Sequence, residues 1–409
     1  MERSVDLLLS CLWREEGETK AERLRGRSED EWREAAAAAE YHGVGPLLFS
    51  TVREMAGTPG VPGDLLEEMR RKYYTAAARN MRLYHELRKV LDLFGRAEIP
   101  VILLKGAHLA EAVYGNIALR SMGDVDLLVR REDLSRTEEM LLQAGGEPEE
   151  PNRVIVERNC HFAYRMKSGL RLEVHWRLIA PVHACAIDLD AVWSRAQRMR
   201  SGKTDALVLS SGDLLIYICA HAAKHASEMR LRMLCDVAEI LRCFAGELNW
   251  PGIGERARGW GLSRAVYVLL RLSRELLSAP IGEDLLALLR PEDFEERRFA
   301  LARECLLETR RGRSAGTHAA AFLRRAGGPA GKISFIVKRI FLPREEMAMM
   351  YPAPADSWRI FLYYPLRMKD LLFRHGRPLW RLLRGDAETC CSAEKLDEKF
   401  RLRDWLLSK

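Results

Sequence analysis

No CxxC pair occurs in the 409-residue chain, and its nine cysteines fall singly apart from the adjacent Cys390 and Cys391. An odd total argues against a complete disulfide framework, so reduced thiols in a cytoplasm are expected. No apolar run approaches the roughly 20 residues that span a bilayer. The opening Met1-Glu2-Arg3-Ser4 leads into Val5-Asp6-Leu7-Leu8-Leu9, too short and too acidic for a signal peptide. Internal repeats and coiled-coil heptads are missing as well. Charge of one sign is scarce: 65 Lys and Arg against 58 Asp and Glu leave a formal net charge of +7. That balance suits a phosphate-bearing ligand but falls short of a nucleic-acid signature. With 48% hydrophobic and 30% charged residues, the composition is that of a soluble globular protein, and the length suggests two or three domains.

What is present changes character along the chain. Asp30 to Ala39 is rich in helix formers, and Asp64 to Phe94 repeats apolar residues every three or four positions, with a Gly/Pro-rich loop from Gly57 to Gly63 between them. Pro100 to Leu104 is a short run, apolar after its proline, as expected of a strand buried on both faces. Lys105-Gly106 ends it, and His108 to Tyr114 reads as a short helix stopped by Gly115. Asp124 to Val129 is a second strand, and Asp133 is a candidate N-cap for a helix through Leu142. His161 to Met166 and Leu170 to Leu178 flank Lys167-Ser168-Gly169 as a hairpin. Helices return from Asp213, with Leu214 to Phe244 as one or two, followed by Ala265 to Leu277 and Glu295 to Arg310. Arg311 to Gly331 reads as a connection rich in Gly, Ala and Arg.

Asp124 and Asp126 are the residues that suggest chemistry. Side chains alternate along a strand, so the two carboxylates share a face while Val125, Leu127 and Val129 share the other. Two adjacent carboxylates repel, and burying them unpaired is costly; a divalent cation such as Mg²⁺ or Mn²⁺ turns the pair into a site. Leu170 to Leu178 alternates so that Arg171, Glu173, His175 and Arg177 form a polar face. Set beside the first strand, Glu173 becomes the third ligand, with room for two ions among three carboxylates. The bland alternative is solvated charge at a strand edge.

Leu104-Lys105-Gly106, Leu119-Arg120-Ser121-Met122-Gly123-Asp124-Val125-Asp126-Leu127-Leu128-Val129 and Leu172-Glu173-Val174-His175-Trp176 together resemble the uncharacterised nucleotidyltransferase family of the polymerase-beta-like superfamily. The resemblance runs from about Arg79 to Leu241. It implies an α+β fold: an α/β catalytic unit with a small mixed sheet, flanked by helical regions. The implied division is an N-terminal helical domain over 1–94, a catalytic domain over 95–210, a helical domain over 211–310 completing the cleft, and a basic helical region over 311–409. By the resemblance, Asp124 and Asp126 hold both metals, and Glu173 holds the catalytic one and orients the attacking hydroxyl. The superfamily's Gly-Ser or Gly-Gly, whose amides hold the triphosphate, is Gly106-Ala107 here. Lys105, Arg120 and Ser121 are the neighbouring candidates for nucleotide contact, the two cations compensating by charge.

Leu214 to Arg242 carries His221-Ala222-Ala223-Lys224-His225. On a continuous helix, His221, His225, Glu228, Arg232 and Asp236 form one stripe with Lys224 at its margin. Three readings stand: a buried hydrogen-bond network, a wall of the cleft formed by His175, His221, His225 and Asp236 with Lys224 on the triphosphate, or zinc. A zincin needs Glu after the first histidine, where Ala222 stands, and two histidines leave a tetrahedral site incomplete.

The segment Trp358 to Arg384 mixes arginines with aromatics; it reads as a helix burying its aromatics, and alternatively as a face for a membrane surface or RNA. Asp356, Asp370 and Asp386 interrupt the positive run and weigh against the latter. The leading expectation is therefore transfer of a nucleoside monophosphate from a nucleoside triphosphate, ATP foremost, to a hydroxyl or phosphate of a small-molecule or peptide acceptor, with release of pyrophosphate. No obligate protein partner is evident. The alternatives are phosphotransfer on the same scaffold, a non-catalytic nucleotide-binding interaction module, and a terminal transferase, against which the modest charge counts.

Overall fold

The structure, a computed structural model, describes residues 2–13, 24, 26–54, 60–149, 160–180, 185–199, 206–308, 325, 328–384 and 386–408. The start of the expected Gly57 to Gly63 loop and most of the Arg311 to Gly331 connection lie outside these. The chain divides into two compact units, one of 1–150, 158–309 and 405–409, the other of 151–157 and 310–404. The first is a mixed α/β structure and contains all the chemistry considered below.

Among the described residues it opens with the helices α1 (Glu2–Leu12), α2 (Glu29–His42), α3 (Gly45–Glu54) and the long α4 (Gly63–Arg96). A capping box starts α2, with Glu31 N–H donating to Ser28 Oγ at 3.2 Å and Ser28 N–H to Glu31 Oε2 at 2.9 Å. Gly43, in the left-handed region at φ 71°, ends it. The buried face of α4 includes Leu83, Leu87, Val90, Leu91 and Phe94, which pack into the core beneath the sheet.

Among the described residues, seven strands form one mixed sheet in the order β3-β4-β5-β2-β1-β7-β6. They are β1 (Ile102–Leu104), β2 (Val125–Leu128), β3 (Glu147–Pro148), β4 (His161–Arg165), β5 (Arg171–His175), β6 (Gln197–Arg198) and β7 (Leu207–Val208). β5 is shorter than the alternation suggests, because pairing stops at His175. Helix α5 (Leu134–Gln143) follows β2; Asp133 precedes it without a side-chain capping bond, since a 3-10 turn from Arg131 to Asp133 supplies the start. Val125, Leu127, Val129, Leu172 and Val174 all lie in the apolar core. The opposite face is therefore left for Asp126, Glu173 and His175.

Helices α6 (Ser211–Lys224), α7 (Leu231–Cys243), α8 (Trp250–Trp260) and α9 (Ser263–Leu277) form the second helical layer of this unit, with α6, α7 and α9 mutually packed. The sequence stripe from His221 to Asp236 assumes one helix, and this is corrected: α6 stops at Lys224, and Met229 and Arg230 are extended. Tertiary contacts pull the chain out of register. Arg230 donates to the Tyr41 carbonyl and lies 4.6 Å from that ring's centroid, while Leu231 N–H donates to His42 Nδ1 at 3.3 Å.

In the second unit Met347, Ala353 and Ile360 form a small core against Tyr351, Tyr363 and Tyr364. The reading of this region as a helix that buries its aromatics is corrected in part: the tyrosines pack, whereas Trp358, Phe361, Phe373 and Trp380 are exposed. Their neighbours are cations. Arg344 lies over Phe361, and Arg384 over Trp380 at 3.4 Å, an arrangement that satisfies the rings without burial. Among the described residues, no helix is long and apolar enough to cross a membrane.

Buried imidazoles, His42 and His108 among them, make the first unit acid-sensitive. Burial, aided by Arg230, pushes His42 down to about 4, and burial alone takes His108 to about 4. Both are neutral when folded, whereas unfolded imidazoles take up protons below about pH 6.5. The unfolded chain then binds more protons, so the stability these rings contribute is present above that value and lost as pH falls toward 4. The urea midpoint should drop between pH 7 and 5 by the equivalent of roughly 2 kcal/mol per ring. His42→Asn, which keeps an acceptor for Leu231, should flatten part of that slope; an unchanged slope would contradict the assignment.

Candidate active site

Two parallel neighbours, β2 and β5, bring the acids together. Asp126 stands opposite Glu173 and Val125 opposite Leu172, so the two carboxylates emerge side by side on the face away from the core. Asp124 lies one residue before β2 and is half-exposed, while Asp126 is buried. Oxygens of Asp126 and Glu173 and a ring nitrogen of His175 lie within 4.8 Å of one another; Asp124 is outside this cluster.

Cations meet this charge. Lys105 Nζ donates to Asp126 Oδ1 at 2.5 Å, and His175 Nε2 donates to the same oxygen at 2.9 Å. Arg171 Nη1 bridges Asp124 Oδ2 at 3.0 Å and Glu173 Oε1 at 2.6 Å, and its Nε donates to Glu149 at 2.8 Å. The pKa directions follow from these contacts. Burial raises Asp126, but Lys105 and His175 outweigh it and hold the carboxyl well below its usual range. Glu173 is lowered likewise, burial being overcome by His175, His161 and Lys105. Asp124 goes the other way, raised by burial and by the charges of Asp126 and Glu173. Burial opposes the charged form of His175, yet Asp126, Cys160 and Glu173 raise it to about 10.

Helix α4 builds the approach to the site. Asn80, fully buried, donates to the carbonyls of Ile117 and Arg120 and accepts from Met122 N–H, clasping the segment that leads to Asp124. Tyr84 hydroxyl donates to the Ala107 carbonyl at 2.7 Å, fixing the turn after β1. That turn begins at Lys105 with φ 43°, a left-handed conformation that costs a non-glycine residue of order 1 kcal/mol. The Gly106 backbone lies close under its neighbours, and a Cβ there would meet Met122 Cγ at 3.1 Å and Arg120 Nη1 at 3.2 Å.

Arg120 is wholly engaged: Nε and Nη2 donate to Asp236 Oδ1 and Oδ2 at 3.1 and 2.9 Å, and Nη1 to the Ser121 carbonyl. Tyr114 hydroxyl also donates to Asp236, at 2.9 Å. Asp236 is thus the buried anchor of the loop bearing Arg120 and Ser121. His221 and His225 face each other edge to plane with centroids 4.8 Å apart. Burial, with Lys105, keeps His221 neutral, and burial with Lys224 takes His225 down to about 4. Among the described residues they share no cluster with a third metal-ligating side chain. Lys224 is half-buried at the end of α6, and the Tyr217 hydroxyl in the same helix is buried without a hydrogen-bond partner.

Arg232 is the residue that sequence reasoning passed over, counting it only within the helical stripe. Its Nε is buried without a partner, and it makes no ion pair among the described residues. Repulsion from Arg120, then burial, lowers its pKa, partly offset by Asp236 and Asp124. A buried cation crowded by another cation, and only partly offset by Asp236 and Asp124, is suited to meeting an anion. The signal available in the sequence was a basic residue one helical turn before Asp236.

The chain belongs to a family described as uncharacterised nucleotidyltransferase, which it matches over residues 28–278, more than half its length. It is accordingly an enzyme of the nucleotidyltransferase kind. No curated protein matches it. Among solved structures, the solution structure of the antibiotic-resistance factor ANT(2'')-Ia is similar at 16% identity, covering 54% of this chain and 94% of that one, with a TM-score of 0.27. So slight an overlap says nothing further about this chain.

Proposed function

We propose that the enzyme is a metal-dependent nucleotidyltransferase of polymerase-beta-like fold, moving a nucleoside monophosphate from a nucleoside triphosphate, ATP foremost, to a hydroxyl or phosphate of a small-molecule or peptide acceptor in the cytoplasm, with release of pyrophosphate. The observation that carries this reading is Asp126 in register with Glu173 on parallel strands, within the span that matches the family. Their hard oxygen donors fit Mg²⁺ or Mn²⁺, and in this structure Lys105, Arg171 and His175 supply the positive charge that such an ion would bring. Asp126 and Glu173 would hold it, with Asp124 as third carboxylate once released from Arg171. When bound, the ion supplies Lewis acidity at the phosphates and favours the ionised acceptor hydroxyl.

The chain's own groups do the rest. Glu173 orients the acceptor hydroxyl. Lys105, Gly106, Ser121, Lys224 and Arg232 face the triphosphate, with Arg120 holding the loop in place through Asp236. His221 and His225, neutral, form part of the wall without adding charge. Arg232→Met removes an unpaired cation and breaks no ion pair, so the nucleotide KM should rise about tenfold or more while the urea midpoint holds or climbs. Lys224→Ala should raise KM in the same direction; nucleotide affinity by calorimetry that is unchanged in either variant removes that residue from the site.

The reading is tested by incubating the protein with each nucleoside triphosphate, Mg²⁺ or Mn²⁺ and a metabolite extract, following pyrophosphate and acceptor mass shifts. Pyrophosphate with a nucleotidyl mass increment supports it. A nucleoside diphosphate with a phosphoryl increment would replace it with phosphotransfer.

A further inference from the structure

Beside the carboxylates lies a second cluster with different chemistry. Pairing of β4 with β5 sets His161 opposite His175, their ring centroids 4.8 Å apart. Cys160, the residue before β4, is buried, and its carbonyl accepts from Trp176 N–H at 3.0 Å, which fixes the backbone there. Its Sγ lies 3.5 Å from His161 Nδ1, and one ligand atom from each of Cys160, His161 and His175 falls within 4.8 Å of the others. His175 is only 3% exposed; its Nε2 is committed to Asp126, while its Nδ1 is buried without a hydrogen-bond partner. A buried ring nitrogen without a partner is costly unless something occupies it.

We propose that Cys160, His161 and His175 form a second metal site, taking a zinc-class ion through Cys160 Sγ, His161 Nδ1 and His175 Nδ1. One sulfur and two imidazole nitrogens are soft-to-borderline donors that select Zn²⁺ over Mg²⁺, and three protein ligands leave a fourth position open. The second shell is already in place. A ligating histidine ordinarily donates its other N–H to a carboxylate, and His175 Nε2 donates to Asp126. Binding displaces the thiol proton, and any proton on His175 Nδ1, to solvent. His175 then links the two centres, holding the soft ion with one nitrogen and orienting Asp126 with the other. The site stands on these three side chains and does not depend on the transfer reaction.

The test uses the full-length chain, stripped with chelator and titrated with Co²⁺. A thiolate-to-cobalt charge-transfer band should grow to about one equivalent and be bleached by Zn²⁺ but not by excess Mg²⁺. Cys160→Ser should abolish the band, and Cys391→Ser should leave it intact. His161→Asn should weaken Zn²⁺ binding by roughly tenfold or more, which carries the test if Cys160→Ser fails to fold by circular dichroism. Absence of the band in the wild-type chain, with Cys160 instead alkylating rapidly at acid pH, would make the cluster a metal-free thiolate–imidazolium pair and overturn the proposal. So would a folded Cys160→Ser variant that keeps the full band.

Discussion

Asp124→Asn and Asp126→Asn are each expected to cut nucleotidyl transfer by roughly two or more orders of magnitude, and to differ sharply in stability. Asparagine keeps the shape and one oxygen but loses the charge that holds a divalent ion. At Asp126 that same charge meets Lys105 and His175, both largely buried, so its removal takes the paired anion from Lys105 and leaves His175 only the more distant Glu173. The cost of such an orphaned charge is several kcal/mol. Asp124 is half-exposed and, among the described residues, pairs only with Arg171, which keeps Glu173 and Glu149. Its loss should change the urea midpoint little, as expected of an exposed ion pair. The cleaner kinetic probe is thus Asp124→Asn, with kcat measured at saturating nucleotide and Mg²⁺. Turnover within a few-fold of the parent in both variants would sink the proposed chemistry. A stable, inactive Asp124→Asn beside an unstable Asp126→Asn would match both the catalytic reading and the ion-pair network.

The carboxylate pairing was legible because it depends only on period. Val125, Leu127, Leu172 and Val174 demand the core, and a strand that buries one face must present Asp126 or Glu173 on the other. Nothing of that kind marks Asn80 or Tyr84. Both lie on a helix whose apolar spacing explains it fully, and their roles arise from loops some 20 to 40 residues away in sequence. The helical stripe failed for a related reason. Periodicity assumes continuity, and His42 with Tyr41 breaks the helix from a distance of 189 residues. Cys160 was hidden by register, since the pairing of His161 with His175 is what brings both rings within 4.8 Å of the thiol. Arg120 was legible as a cation but not as a committed one, because its partner Asp236 lies 116 residues on.

That commitment gives the second large effect. Asp236→Ala should destabilise the first unit by about 3–5 kcal/mol, the cost of leaving a buried guanidinium unpaired. The Arg120 side chain is 10% exposed and that of Asp236 4%, so solvent cannot substitute, and the buried Tyr114 hydroxyl loses its acceptor too. The repulsion between Arg120 and Arg232 would then lose the offset that Asp236 provides. Combining Asp236→Ala with Arg120→Met removes the orphaned charge and should restore a large part of the loss, a coupling that a double-mutant cycle in urea reads directly. The same cycle, run on kinetics, separates two roles for Arg120. If it only holds the loop before Asp124, the nucleotide KM of the double variant stays near that of the parent once stability returns. If it also grips phosphate, KM remains raised in every variant that lacks it, whatever the midpoint. Additive losses in stability would mean that the pair is not the anchor of this loop.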